Sequence, residues 1–302
     1  MISYALAFSA AIVNAVGDVL NRKASREAPA NLAFRFRLFA DLLRRRAWLA
    51  AGTLMLTSFV LAAAALGTGQ LAAVQLIVIL ELPLTLVGGA WFLGGQLPAR
   101  DWAAIVAMTA GVIGLLVLLD PEAGSGQPAS PVIWLAGSAV NVAVIAGLYI
   151  AAKAQRRPAV RSALLGVASG FGYGLTAAFT KGMAAQFSEQ GVGGVLSSWQ
   201  LYACVAAGLV STWLLQNAYH AGTLAAAQPG ITLVDPIVAT VWGAVAFGEH
   251  VREDWILLLA VLPLALLAAG VLALSRSASW HRNEERPRTW PPASQWSRAS
   301  LR

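Results

Sequence analysis

Long stretches without charge constrain this chain more than any other feature. From Ala47 to Ala99 the only charged residue is Glu81. Between Gln190 and Gly248 the only acid or base, leaving His220 aside, is Asp235. Runs with no charge at all occupy Trp102–Leu119, Ala123–Ala152, Ser162–Thr180 and Trp255–Ser275. A helix that crosses a bilayer needs about 20 apolar residues, so each run holds one or two crossings. Composition agrees: 12% of the 302 residues are charged, against roughly 25% in soluble domains. The fold expected is all-α, a polytopic membrane helix bundle of about nine transmembrane helices.

The spans fall at about Ser3–Leu20, Ala47–Leu66, Leu71–Leu93, Trp102–Leu119, Pro131–Ala152, Ser162–Met183, Leu196–Tyr219, Leu224–Phe247 and Trp255–Ser275. The link Gly67–Gln70 is very short, and Gly94–Asp101 and Asp120–Ser130 are rich in turn formers. Neighbouring spans are therefore antiparallel. With the N-terminus outside, the inner segments collect Arg22, Lys23, Arg26, Arg35, Arg37, Arg44, Arg45, Arg46, Arg100, Lys153, Arg156, Arg157, Arg161 and every Arg of the C-terminal tail. Only Lys181 and Arg252 fall outside. Such a bias predicts a multi-pass protein of the cytoplasmic membrane, with the N-terminus outside and the C-terminus cytoplasmic. The same rule explains the net charge of +7 without nucleic acid as a partner. No basic region precedes the apolar stretch that opens at Ile2, so no cleaved signal peptide is expected. Leu32–Arg46, which mixes apolar residues with five Arg, reads as an interfacial helix or as a charged connector. Ser277–Arg302, rich in Arg, Pro, Ser and Trp, reads as a disordered basic tail. Cys204 is the single cysteine, which precludes an intrachain disulfide.

A self-match runs through the chain at a constant offset of 153 residues. Gly69-Gln-Leu71-Ala-Ala-Val-Gln75 matches Gly222-Thr-Leu224-Ala-Ala-Ala-Gln228. Without a gap, Leu80 meets Leu233, Pro83 meets Pro236, Gly95 meets Gly248, and Asp101-Trp102 meets Asp254-Trp255. The copies lie five spans apart, so they face opposite ways across the bilayer. Charge agrees, since eight Lys or Arg precede the second span and none occurs in Gln186–Ser198 before the seventh. Inverted repeats build many secondary transporters, with the substrate near the midplane where the halves meet. The transmembrane domain is then residues 1–276, with halves at about 1–121 and 131–276 and the fifth span beginning the second.

These residues resemble the drug/metabolite transporter superfamily (EamA-like): the Gly-x-Leu-Ala-Ala-x-Gln opening, the mid-span Pro, the Gly-Glu/Gln exit and the Asp-Trp helix that follows. The resemblance covers residues 3–275. It implies a helical bundle with a central cavity and alternating access. Members usually have ten spans in two inverted five-helix halves, and this chain lacks one, most simply the first. The nine-span, N-outside form is similar to the NIPA-like magnesium transporters, and Asn14-Ala-Val-Gly-Asp-Val-Leu-Asn-Arg-Lys23 is compatible with their first helix.

Glu81 and Asp235 are the acids deepest in the expected spans, where an ionised side chain costs several kcal/mol. Glu81 aligns with Val234, one residue short of Asp235, a slip of about 100° on a helix. Pro83 and Pro236 follow closely as helix-breaking residues, and each leaves a carbonyl without its usual donor. A carboxylate beside freed carbonyls suits a cation or a proton relay; the alternative is a protonated acid bonded to a neighbouring helix. Gln75 and Gln228 hold matching positions and either line a substrate cavity or join helices. Asp18 is expected to pair with Arg22, and Lys181 to snorkel to water from the outer end of the sixth span. Tyr173 and Trp242 read as packing residues, Asn141 as a polar group within a span, and the glycines of Gly111–Gly114 and Gly166–Gly174 as close-approach points. No phosphate loop and no metal-ligand spacing among His220, His250 and His281 is present. Nothing nominates an enzyme or a bound cofactor. The function expected is a secondary transporter moving a small solute, with a divalent-cation permease as the alternative and a transporter-like membrane enzyme or assembly factor third.

Overall fold

The computed structural model describes residues 1–27, 46–93, 97–122, 124, 129–221, 224–251 and 255–276. The segment expected at the interface and the C-terminal tail lie outside the described residues. The described chain folds as α1 (Ile2–Glu27), α2 (Arg46–Thr68), α3 (Leu71–Val78), α4 (Glu81–Leu93), α5 (Ala99–Leu119), α6 (Pro131–Ala154), α7 (Pro158–Ser197), α8 (Trp199–Ala221), α9 (Leu224–Phe247), a 3₁₀ turn (Trp255–Ala260) and α10 (Val261–Ser275). Among the described residues, nine helical stretches are long and apolar enough to cross a membrane. α3 and α4 together make the third, Leu71–Trp91.

Burial is distributed as a bilayer demands. Val132, Leu135, Val140, Val142 and Ile150 of α6 are more than half exposed. Such a surface is intolerable in water and neutral in hydrocarbon. α7 is the central helix, packing on α8, α9 and α6 and also meeting α2. Its glycines make this possible. A Cβ at Gly166 would collide with the Ala227 backbone, one at Gly170 would sit 2.9 Å from Val234, and one at Gly174 would sit 2.7 Å from Val238. Hydroxyl groups add cross-links that apolar packing lacks in lipid: Ser162 donates to the Ala218 carbonyl (2.8 Å) and Ser169 to that of Ser211 (2.9 Å). α5 and α10 meet in the same way, Gly111 and Gly114 lying against Leu267 and Pro263. On the other flank α1 packs on α2, α3 and α4, while α3 and α9 meet between the groups.

Two expectations are corrected. Residues 186–198 are mostly helical rather than a loop: the helix runs on past Met183, breaks at Gly191, whose φ of 62° suits glycine, and a second short helical piece reaches Ser197. Lys181 is thus well inside a helix rather than at its tip. Pro236 does not break its span, because α9 runs unbroken from Leu224 to Phe247. There the Thr240 hydroxyl donates to the Pro236 carbonyl (2.7 Å), and the helix packs along α7.

Candidate functional site

Pro83 does break its span. It has no N–H to donate to Ile79, and the chain tightens instead. Leu80 donates to Ile77 (3.0 Å) and Leu82 to Ile79 (3.1 Å), three residues back rather than four. The Leu76 and Val78 carbonyls thereby lose their usual donors. Glu81 opens α4 beside this gap, where a helix N-terminus favours negative charge.

The two deep acids take different neighbours. Glu81 turns to α1, where its carboxyl group is hydrogen-bonded to Asn14 and Asp18. The Asp18 side chain therefore meets Glu81; the Arg22 side chain, its expected partner, lies outside the described residues. Asp235 turns to α3, and the Gln75 amide donates to its Oδ1 at 3.4 Å. Asp235 lies close enough for its charge to act on Tyr173 of α7, whose hydroxyl is 3.2 Å from that of Thr212. Gln75 precedes Glu81 by six residues, about 9 Å along a helix axis. Thus the single shared pocket expected from sequence resolves into two neighbouring polar clusters. Gln228 belongs to neither. Tyr219 of α8 donates to its Oε1, and its Nε2 donates to Thr232, both at 3.4 Å, so it joins helices.

Two features went unnoticed in the sequence. The first is a pair of orphaned oxygens on α6, Ser138 Oγ and Asn141 Oδ1, both buried without a partner. Gly137 of the same helix packs on the Trp242 ring.

The second lies at the end of the bundle that carries Gly69. Glu249 is 6% exposed and both its carboxylate oxygens accept from the Leu71 N–H, at 2.8 and 2.9 Å, so it caps α3 from the far end of α9. Lys181 forms an ion pair with it, donates to the Gly69 carbonyl (2.6 Å), and sits 5.1 Å from the centre of the Phe247 ring. Gly248 supplies the positive φ (62°) that turns the chain back, and Gly243 leaves the carboxylate its space. Around the pair opens a cavity of about 400 Å³, lined in part by Gln70, Trp134, Gln186, Glu189 and Gln200. Neither Glu81 nor Asp235 lines it. The Gly-Glu exit was visible in the sequence, but nothing there indicated which helix it reaches.

A lipid-facing bundle with acids inside it is a multi-pass integral membrane protein. Comparison with known proteins adds a relative of the same size. Over 289 residues, covering 95% of this chain and 99% of the relative, it is 26% identical to a protein of Corynebacterium glutamicum that is described only as uncharacterized. No family model matches the chain. No solved structure matches it either.

Proposed function

We propose that the chain is a secondary transporter of the drug/metabolite type, moving a small solute across the cytoplasmic membrane by alternating access, N-terminus outside. One observation carries this reading: the Gln75–Asp235 hydrogen bond, made between α3 and α9 beside a span broken at Glu81. Interrupted helices with polar groups at their gap are how transporters bind solutes within the bilayer. The packing favours two related halves: α1 meets α2 and α3–α4, and α7, one repeat later, meets α8 and α9. A solute at this level would be held by Asp235, Gln75 and Tyr173.

Reconstituted vesicles test the proposal. Solute loss from loaded vesicles should require the protein and should vanish in Asp235→Ala and Glu81→Ala, with both variants still inserted and monodisperse. Magnesium uptake lost in Glu81→Gln, without any solute exchange, would instead select the divalent-cation permease. No flux of any kind under any gradient would end the transporter reading.

A further inference from the structure

Three elements meet at the Lys181–Glu249 pair, and they come from both halves of the chain. Lys181 lies on α7 and Glu249 just follows α9, whereas the Gly69 carbonyl and the Leu71 N–H that they hold belong to the start of α3. Each charged group thus binds the other and also the backbone at α3. The two side chains are 16% and 4% exposed, and both line the cavity of about 400 Å³. Beside a cavity of this size the charges can separate, because water can take over each of them; in hydrocarbon they could not.

The element held is short and jointed at both ends. α3 has eight residues and runs from the link at Gly69–Gln70 to the break that Pro83 imposes after Val78. It carries Gln75, the partner of Asp235. Directly below the charged pair the seam is closed by apolar contact. A Cβ at Gly243 would sit 3.6 Å from that of Leu71. Leu71 and Val74, 0% and 1% exposed, pack in one cluster with Val238, Trp242 and Ala246 of α9. The order along α3 is therefore cavity, charged pair, apolar layer, and then Gln75 with Asp235. The other end has no such pair in its sequence. In the self-match Gly248-Glu249 meets Gly95-Gln96, so an uncharged amide stands where the acid would be.

We infer that Lys181 and Glu249 form a clasp on α3 that holds this end of the bundle shut, and that their parting lets the apolar layer open between the cavity and Gln75. The inference rests on the transporter reading for its purpose, since alternating access needs a closure at each end that can be undone. A clasp of opposite charges suits this task. It is directional, and it closes only when Gly69 and Leu71 return to one position. Its loss leaves the glycine seams that join α7 to α8 and α9 untouched.

The test needs no flux. In the purified full-length protein carrying Cys204→Ser, modification by a charged thiol reagent is timed at Val74→Cys and, as a second reporter on α9, at Val238→Cys. Leu165→Cys, in the buried cluster of Ala152, Leu214 and Ala218, reports general loosening. Lys181→Met together with Glu249→Gln removes both charges, so neither is stranded and the tie is still lost. In that background the two seam cysteines should react roughly tenfold faster, as when a minor open state becomes a common one. Leu165→Cys should keep its original rate. An unchanged rate at the seam, or an equal rise at Leu165→Cys, would overturn the clasp. A seam that opens in the double variant of a protein that moves no solute would overturn the transporter and leave the clasp standing; solute flux with the seam unmoved would do the reverse.

Discussion

At Glu249 a side chain from the end of one helix completes the start of another 178 residues away. Breaking a buried ion pair on one side strands a charge, at a cost of roughly 3–5 kcal/mol. Lys181→Met should therefore lower the unfolding temperature markedly in detergent, and Lys181→Met with Glu249→Gln should regain much of the loss. An additive double variant would show that the two groups do not act as a pair. Asp235 is different in kind. Its partner is a neutral amide at 3.4 Å, so Asp235→Asn removes charge while a hydrogen bond to Gln75 can still form. The folded protein should survive this change and flux should fall at least as far as in Gln75→Ala, measured in the same vesicles. These residues were unevenly legible. Charge inside an apolar run exposed Glu81 and Asp235, whereas Lys181 and Glu249 fall near the ends of the spans read from the sequence, where charge is ordinary.

Among the helices, α7 and the α3–α4 pair are specialised in opposite ways. α7 is lined with glycines so that α8 and α9 approach its backbone. Overfilling such a seam costs typically 1–3 kcal/mol and more where backbone is met. Gly166→Val should sharply reduce the yield of monodisperse protein, while Gly147→Val on α6, where nothing lies within 4 Å of the added Cβ, should not. The α3–α4 gap trades stability for polarity. Pro83→Ala restores an N–H and should raise the unfolding temperature while slowing flux, because the released carbonyls are taken back into a helix. An unchanged flux would show that the break is incidental. Pro83 and Pro236 look alike in the sequence and match in the repeat, yet only the first interrupts its span. The second lies in a helix packed along α7, and a local sequence window does not contain that packing.

For the whole molecule, the contacts at one end bring together connectors from distant parts of the chain. Glu122 donates through its N–H to the His250 carbonyl (2.9 Å), and Glu249 reaches Leu71. Gln70 and Glu122 must then lie on one side of the membrane, with Arg157 on the other. Single-cysteine reporters at these positions in a Cys204→Ser background should label accordingly, with Gln70 and Glu122 reached from outside. Labelling of Gln70 and Arg157 from the same side would break both the topology and the proposed mechanism.

The sequence alone located nine apolar stretches that the described residues fold as nine long apolar helices, because hydropathy is summed residue by residue along each span and needs no partner. It also marked the acids, since charge in hydrocarbon is costly wherever the helix points. Only the tertiary structure decided which polar groups meet. Those choices depend on helix rotation and on neighbours up to 178 residues away, where a turn of 100° per residue sends Glu81 to Asp18 and Asp235 to Gln75.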